Sequence, residues 1–166
     1  SIGWPLDQET YGGSFLYHLD KNLVSLGFVI GLDYKNPYLS PYEEFQRFKM
    51  HPSIKPLLDD GRRVSYGARA LNEGGWQSLP KLSFPGGSLI GCEAGTLNTP
   101  KIKGTHTAMK SGIVASENVF RKLEQNLEGI ELEDFQSEFN NSWAGKELKA
   151  ARNVRPSFKY GLKLGT

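Results

Sequence analysis

Apolar and polar positions alternate early in the chain and pass to helical spacing later. Residues 14–17 and 23–33 read as two strands around a turn at Asp20-Lys21-Asn22. The second is rich in Leu, Val, Phe and Ile, which predicts an interior strand. Residues 62–70 alternate again. Val64, Tyr66 and Ala68 fall on one face, Arg63, Ser65 and Arg69 on the other, and a third strand is predicted there. Leu82-Ser83-Phe84 leads to the tight turn Pro85-Gly86-Gly87, and the apolar Ser88-Leu89-Ile90 after it reads as a short strand.

Helical signals sit between and after these pieces. Ser40 reads as an N-cap, with Pro41 in the first helical position and Glu43 and Glu44 in the first turn. A helix is predicted over residues 41–51, with Tyr42, Phe45 and Phe48 as packing residues, and a shorter one over 52–58, ended by Asp59-Asp60-Gly61. His51, before Pro52, reads as a C-terminal cap or surface group. Residues 105–125 carry two apolar stripes: Ala108, Gly112, Ala115, Val119 and Leu123, then Met109, Ile113, Ser116 and Phe120. A helix apolar on more than one side is predicted to be largely buried. After a linker at 127–129, Leu132, Phe135, Phe139 and Trp143 recur at three and four residues and predict one helix over 132–151. Such a stripe most often serves a core; Trp143 with Lys146, Lys149, Arg152 and Arg155 would also fit a membrane interface. The pattern as a whole predicts an α+β fold: a mainly antiparallel sheet with packed helices, then a strand–helix pair and a terminal helix.

Composition narrows the function classes. A chain of 166 residues can bury a real core and is one domain by size. Nineteen glycines and nine prolines, with ordinary apolar and aromatic content, imply many turns and not disorder. A net charge of +2 gives no argument for nucleic acid. One cysteine excludes an internal disulfide framework and a Cys₄ metal site made by this chain alone. No signal-peptide pattern and no apolar run of the roughly 18–20 residues needed to span a bilayer is visible.

The candidate chemistry lies in residues 90–112. Gly91-Cys92-Glu93-Ala94-Gly95 follows the apolar piece; a loop with Pro100, Lys101, Lys103 and Gly104 comes next; Thr105-His106-Thr107 opens the long helix. Glycines remove side chains where a ligand must touch main chain. The free amides and positive dipole end of a helix start suit an anionic or electron-rich ligand. The same order also serves as a plain structural turn between strand and helix. Gly12-Gly13 reads likewise as a bulge or strand entry. Asn72, in the turn Leu71-Asn72-Glu73-Gly74-Gly75, reads as an Asx-turn residue or a ligand-facing amide. His106 reads as positional. No side-chain nucleophile, general base or metal ligand is assigned.

The segment from Gly91 to Gly112 resembles the C-terminal flavin-binding segment of glutathione-reductase-type and hydroxylase-type flavoproteins. Those families place Asp where this chain has Cys92. Gly91-Cys92, the run Pro100 to Gly112, Tyr11-Gly12-Gly13-Ser14-Phe15-Leu16-Tyr17-His18 and Gly67-Ala68-Arg69-Ala70-Leu71-Asn72-Glu73-Gly74-Gly75 are together similar to the electron transfer flavoprotein–ubiquinone oxidoreductase family. The resemblance runs from Gly3 to about Pro156.

It implies a substrate domain of the FAD/NAD(P)-binding type, with a ubiquinone-binding region over 1–87, the C-terminal part of the FAD-binding domain over 88–128 and a terminal helical, membrane-facing segment over 129–166. It implies FAD held at Gly91, Cys92, Gly95, Gly104, Thr105, His106 and Thr107, with Asn72 at the ring, and ubiquinone at Gly12 and Gly13. It further implies a [4Fe–4S] cluster whose cysteines lie outside this chain, reduced electron transfer flavoprotein as electron donor, and a peripheral place on the mitochondrial inner membrane or a bacterial cytoplasmic membrane. The chain then reads as a central fragment, inactive alone, with the unfinished stretch 161–166 at one end. A geranylgeranyl-reductase-like flavoenzyme and a non-catalytic binding module of the same fold are the alternatives.

Overall fold

A computed structural model describes residues 4–158. The described residues fall into two compact units, one ending at Gly67 and the other beginning at Ala68.

The first unit is a β-hairpin with a helix against it. Strands β1 (Gly12–Leu19) and β2 (Leu23–Ile30) pair antiparallel, from Gly12 opposite Ile30 to Leu19 opposite Leu23. Strand β1 runs past the predicted 14–17 at both ends, and β2 starts at Leu23 as predicted but stops at Ile30 and not at 33, because the ladder sets their ends. Lys21 and Asn22 both take positive φ (59° and 57°), and Leu23 N donates to Asp20 O, as a type I′ hairpin turn requires. Helix α1 (Pro41–Lys49) starts as its sequence predicts. The Ser40 hydroxyl accepts from Glu43 N, and Arg47 and Lys49 occupy the last turn. Phe48 is buried and stacks on Phe28 of β2 at 5.0 Å, with Phe45 parallel to the same ring at 6.4 Å. His51 follows the helix and its Nδ1 accepts from Ser53 N. The second helix predicted here is only one 3₁₀ turn, Lys55–Leu57.

The strand predicted over residues 62–70 does not form. This stretch is irregular and exposed throughout, with Tyr66 82% accessible. Alternation alone cannot make a strand without a partner ladder, and no other strand pairs with it. Arg63 lies over the Tyr66 ring instead.

The second unit is helical. Strands β3 (Ser83–Phe84) and β4 (Gly87–Ser88) make a minimal hairpin with Gly86 at φ 79°. The sheet content of the described residues is therefore two small antiparallel hairpins. One helical turn, α2 (Gly91–Ala94), leads to the long α3 (Thr105–Glu124). Leu82, Ala94, Val114, Ala115, Leu132, Phe135, Phe139, Ala144 and Leu148 form the core.

Helix α3 departs from its prediction. Its buried face is Thr107, Ser111, Val114, Ala115 and Asn118, whereas Met109 and Phe120 are 64% and 61% exposed. Three buried positions are polar, and each has a built-in partner. Thr107 donates to Thr96 O, Ser111 to Ala108 O, and Asn118 to Val114 O and the Glu138 carboxylate. Periodicity reads oil and not satisfied polarity, so it selected the wrong stripe.

The predicted helix over 132–151 is two: α4 (Phe135–Asn141) and α5 (Trp143–Ala150). Ser142 sits between them in extended geometry. Its hydroxyl donates to Phe139 O, closing α4, and accepts from Gly145 N, capping α5. A Cβ on Gly145 would come within 2.7 Å of Asn140 Cα, so the tight corner needs glycine. Phe135 and Phe139 enter the core, but Trp143, past the corner, is 51% exposed. A four-residue helix α6 (Val154–Ser157) follows.

Candidate functional site

In the second unit, β4 ends at Ser88, and Ile90 enters α2 in extended conformation. Gly91 opens α2 at φ 59°, a value that strongly favours glycine. A Cβ there would also stand 3.2 Å from Ala108 Cβ, so glycine lets α3 approach. Gly91 N donates to Ser111 Oγ at 2.9 Å, fixing α2 to the buried face of α3. The turn closes as a Schellman motif: Thr96 N reaches Gly91 O, Gly95 N reaches Cys92 O, and Gly95 takes φ 80°. Cys92 is a free, half-buried thiol.

Asn72 makes no Asx turn. Its side-chain amide donates to Cys92 O at 3.0 Å and pins the turn at residues 71–75 against α2. Between them opens a cleft of about 320 Å³, lined by Asn72, Gly75, Pro80, Glu93 and Gly95 among others. Arg69 pairs with Glu93 at its edge, at 2.8 Å. Thr96, next to Gly95, is buried with a hydroxyl that finds no hydrogen-bond partner.

The loop to α3 folds back on itself. Asn98 and Lys103 exchange main-chain hydrogen bonds, and Ile102 between them is held at φ 53°. Gly104 is the N-cap of α3, and no side chain caps this end. Thr107 turns its hydroxyl back to Gly104 O and Thr96 O and so does not cap the first-turn amides. A Cβ on Gly104 would meet only Leu97, at an ordinary 3.6 Å, and its φ is −124°. Neither backbone geometry nor packing among the described residues explains a glycine at this position.

A carboxylate anchors the loop and the helix start together. Glu147 of α5 accepts from Lys101 Nζ at 2.6 Å and Asn98 Nδ2 at 2.7 Å, and its Oε1 is 2.7 Å from His106 Nε2. The hydrogen bonds from Lys101, His106 and Asn98 outweigh the opposing effect of burial and hold Glu147 down to about 2. The His106 ring stacks on Trp143, 5.8 Å away and 13° from parallel. Glu147 and Ser111 were not among the residues singled out from sequence. Glu147 reads as one more polar-face residue of an amphipathic helix, and Ser111 falls in neither apolar stripe of α3.

Gly12 and Gly13 lie in the first unit, at the start of β1. Gly31 N donates to Tyr11 O at 2.7 Å, so that pair is hydrogen-bonded. Antiparallel pairs alternate. Gly12 and Ile30, next in register, form a non-hydrogen-bonded pair, and the Gly12 amide turns out of the ladder to the outer edge of β1. Gly13 pairs with Val29 within the ladder. Leu6 packs on the bare Cα of Gly12, and a Cβ there would also approach Val29 O to 2.5 Å.

The family model for the ubiquinone-binding region of electron transfer flavoprotein–ubiquinone oxidoreductase matches residues 1–71. The mitochondrial enzymes of that name from Sus scrofa and Homo sapiens are each 61% identical over 164 residues, covering 95% of this chain and 27% of their own length. The one from Arabidopsis thaliana is 57% identical over 165 residues, covering 99% of this chain and 26% of its own. The chain thus spans about a quarter of the relatives it matches. On this similarity the chain belongs to the electron transfer flavoprotein–ubiquinone oxidoreductase family.

Proposed function

We propose that this chain supplies the ubiquinone-binding region and one wall of the flavin site in an oxidoreductase that passes electrons from reduced electron transfer flavoprotein, through a [4Fe–4S] cluster and FAD, to ubiquinone. The observation that carries this reading is the 61% identity to relatives of that name over 95% of the chain. Two features of the main chain support it. The Gly12 amide stands outside its ladder, and a quinone carbonyl is a hydrogen-bond acceptor that a side-chain-free strand edge can reach. The start of α3 carries no side-chain cap, and a Cβ at Gly104 would meet only Leu97, at ordinary contact distance.

The FAD would be held by Gly91, Cys92 and Gly95 along one side and by Gly104, Thr105, His106 and Thr107 at the helix start, with Asn72 fixing the turn beside them. The group itself, when bound, supplies redox chemistry that joins a one-electron donor to a two-electron acceptor. The residues of this chain do the rest by position. Thr107 and Ser111 bury their hydroxyls within the protein and so keep the helix start rigid. The dipole of a 20-residue helix favours electron density at its first turn. The iron–sulfur ligands belong to the parent protein outside this segment.

The relatives are mitochondrial, and no helix among the described residues is long and apolar enough to cross a membrane. A peripheral place on the inner membrane is part of the proposal. Half-exposed Trp143, with exposed Lys146 and Lys149, is the candidate interfacial face of α5.

The test uses the full-length protein. Gly13→Val adds a branched side chain beside the Gly12 amide while leaving a residue that any strand accommodates. Ubiquinone reduction is expected to fall about tenfold or more, the loss of roughly 1.4 kcal/mol in transition-state binding, with flavin reduction by a dye unchanged. An equal fall in both half-reactions would overturn the quinone assignment.

A further inference from the structure

Glu147 collects three partners on one carboxylate, and all three belong to the loop and helix start opposite α5. Lys101 and Asn98 come from the folded-back loop, and His106 from the first turn of α3. The set over-determines the geometry of each partner. Asn98 is tied four ways: to Lys103 through both main-chain groups, to Lys101 N through Oδ1 and to Glu147 through Nδ2. His106 is held at Nε2 by Glu147 and across its ring plane by Trp143. Within this frame Ile102 keeps a positive φ of 53°. For a β-branched residue that conformation costs about 1–3 kcal/mol and persists only where surroundings enforce it. The side chain of Ile102 is exposed and packs against no core, so the enforcement comes from the loop's own ties.

The geometry points to Glu147 as a positioning residue for the flavin edge. Resting on the function proposed above, it touches neither ligand; it sets where the main chain from Asn98 to His106 stands. Among the described residues, the carboxylate is the one group through which α5 hydrogen-bonds to the loop and the helix start at once. Its loss would release the Lys101 ammonium and remove one tie each from Asn98 and His106, loosening the loop and the helix start together.

The test is on the full-length flavoprotein carrying Glu147→Ala, read by FAD retention, the visible flavin absorption spectrum and the flavin midpoint potential. Glu138→Gln is the comparison, because Glu138 ties α3 to α4 through Asn118 and Arg121, away from the loop. Glu147→Ala is expected to weaken FAD retention by about tenfold, the size of one charge-assisted hydrogen bond, and to move the spectrum and the potential. Glu138→Gln should lower the thermal midpoint without moving either. If Glu147→Ala does not accumulate as folded protein, Lys101→Met carries the same test, with a smaller shift in the same direction. Wild-type retention, spectrum and potential in these variants would overturn the proposal, and so would an equal shift from Glu138→Gln. A wild-type full-length protein without flavin would remove the functional reading itself, which the variants then could not rescue.

Discussion

Under the proposed function, the two units would present bare main chain to a flat ligand by different means. The first uses a strand edge. The Gly12 amide lies outside the ladder because antiparallel pairs alternate, and among the described residues of this unit only Pro5, Leu6 and Phe48 are buried. The second uses a helix start held by side chains, over a core that includes the two fully buried phenylalanines Phe135 and Phe139. A strand edge needs no network to expose an amide, since the ladder already points every second one outward. A loop leading into a helix has no such repeat to fix it, and here it is fixed by Glu147, Ser111 and Thr107.

The largest test of this contrast compares cores. Phe135→Ala removes a side chain with no exposed surface and is expected to cost about 3–5 kcal/mol, as fully buried aromatic truncations do. Phe48→Ala in the first unit should cost less, since its ring shares the Phe28 stack with Phe45, which still covers Phe28 afterwards. Denaturant unfolding with residue-resolved hydrogen exchange separates the two. Equal losses would show that the hairpin depends on a core as much as the helices do.

Gly91→Ala should follow in size. It combines a left-handed conformation with a 3.2 Å approach to Ala108, and a cost of about 1–3 kcal/mol is expected from the strain. Gly104→Ala, with ordinary geometry and room for a methyl group, should leave the thermal midpoint nearly unchanged while weakening FAD retention in the full-length protein. A matched fall in stability for both would erase the distinction between a glycine kept for folding and one kept for a ligand.

The smallest effect is in acid. Glu147 is held at about 2 in the fold against an ordinary 4.5, so its contribution to stability is fully present above pH 4.5 and is lost as pH falls toward about 2. Glu147→Gln should flatten this part of the stability–pH curve of the second unit. An unchanged slope between those limits would mean that the carboxylate gains nothing from Lys101, His106 and Asn98.

Local signals were legible where one residue carries the physics. Ser40-Pro41 with Glu43 announced the start of α1, and the turn at Asp20-Lys21-Asn22 and the glycine turn before β4 were placed correctly. The start of α3 at Thr105 was read from its glycine and its spacing. Residues 62–70 misled because alternation describes a strand's faces and says nothing of whether a neighbour exists to pair with. The helix over 132–151 misled because Ser142 is unremarkable in a stripe, and becomes a double cap only when Gly145 can fold back against Asn140.

The sequence by itself determined the glycines, the Ser40 cap of α1 and the family to which the chain belongs, since each rests on residue identity or short spacing. Only the tertiary structure decided which side of α3 is buried, that Asn72 grips Cys92 O, and that Glu147 faces Lys101, Asn98 and His106 across more than forty positions of chain. Hydrogen bonds between distant segments leave no periodic trace, because a single polar residue meets its partner through the fold and not through its neighbours.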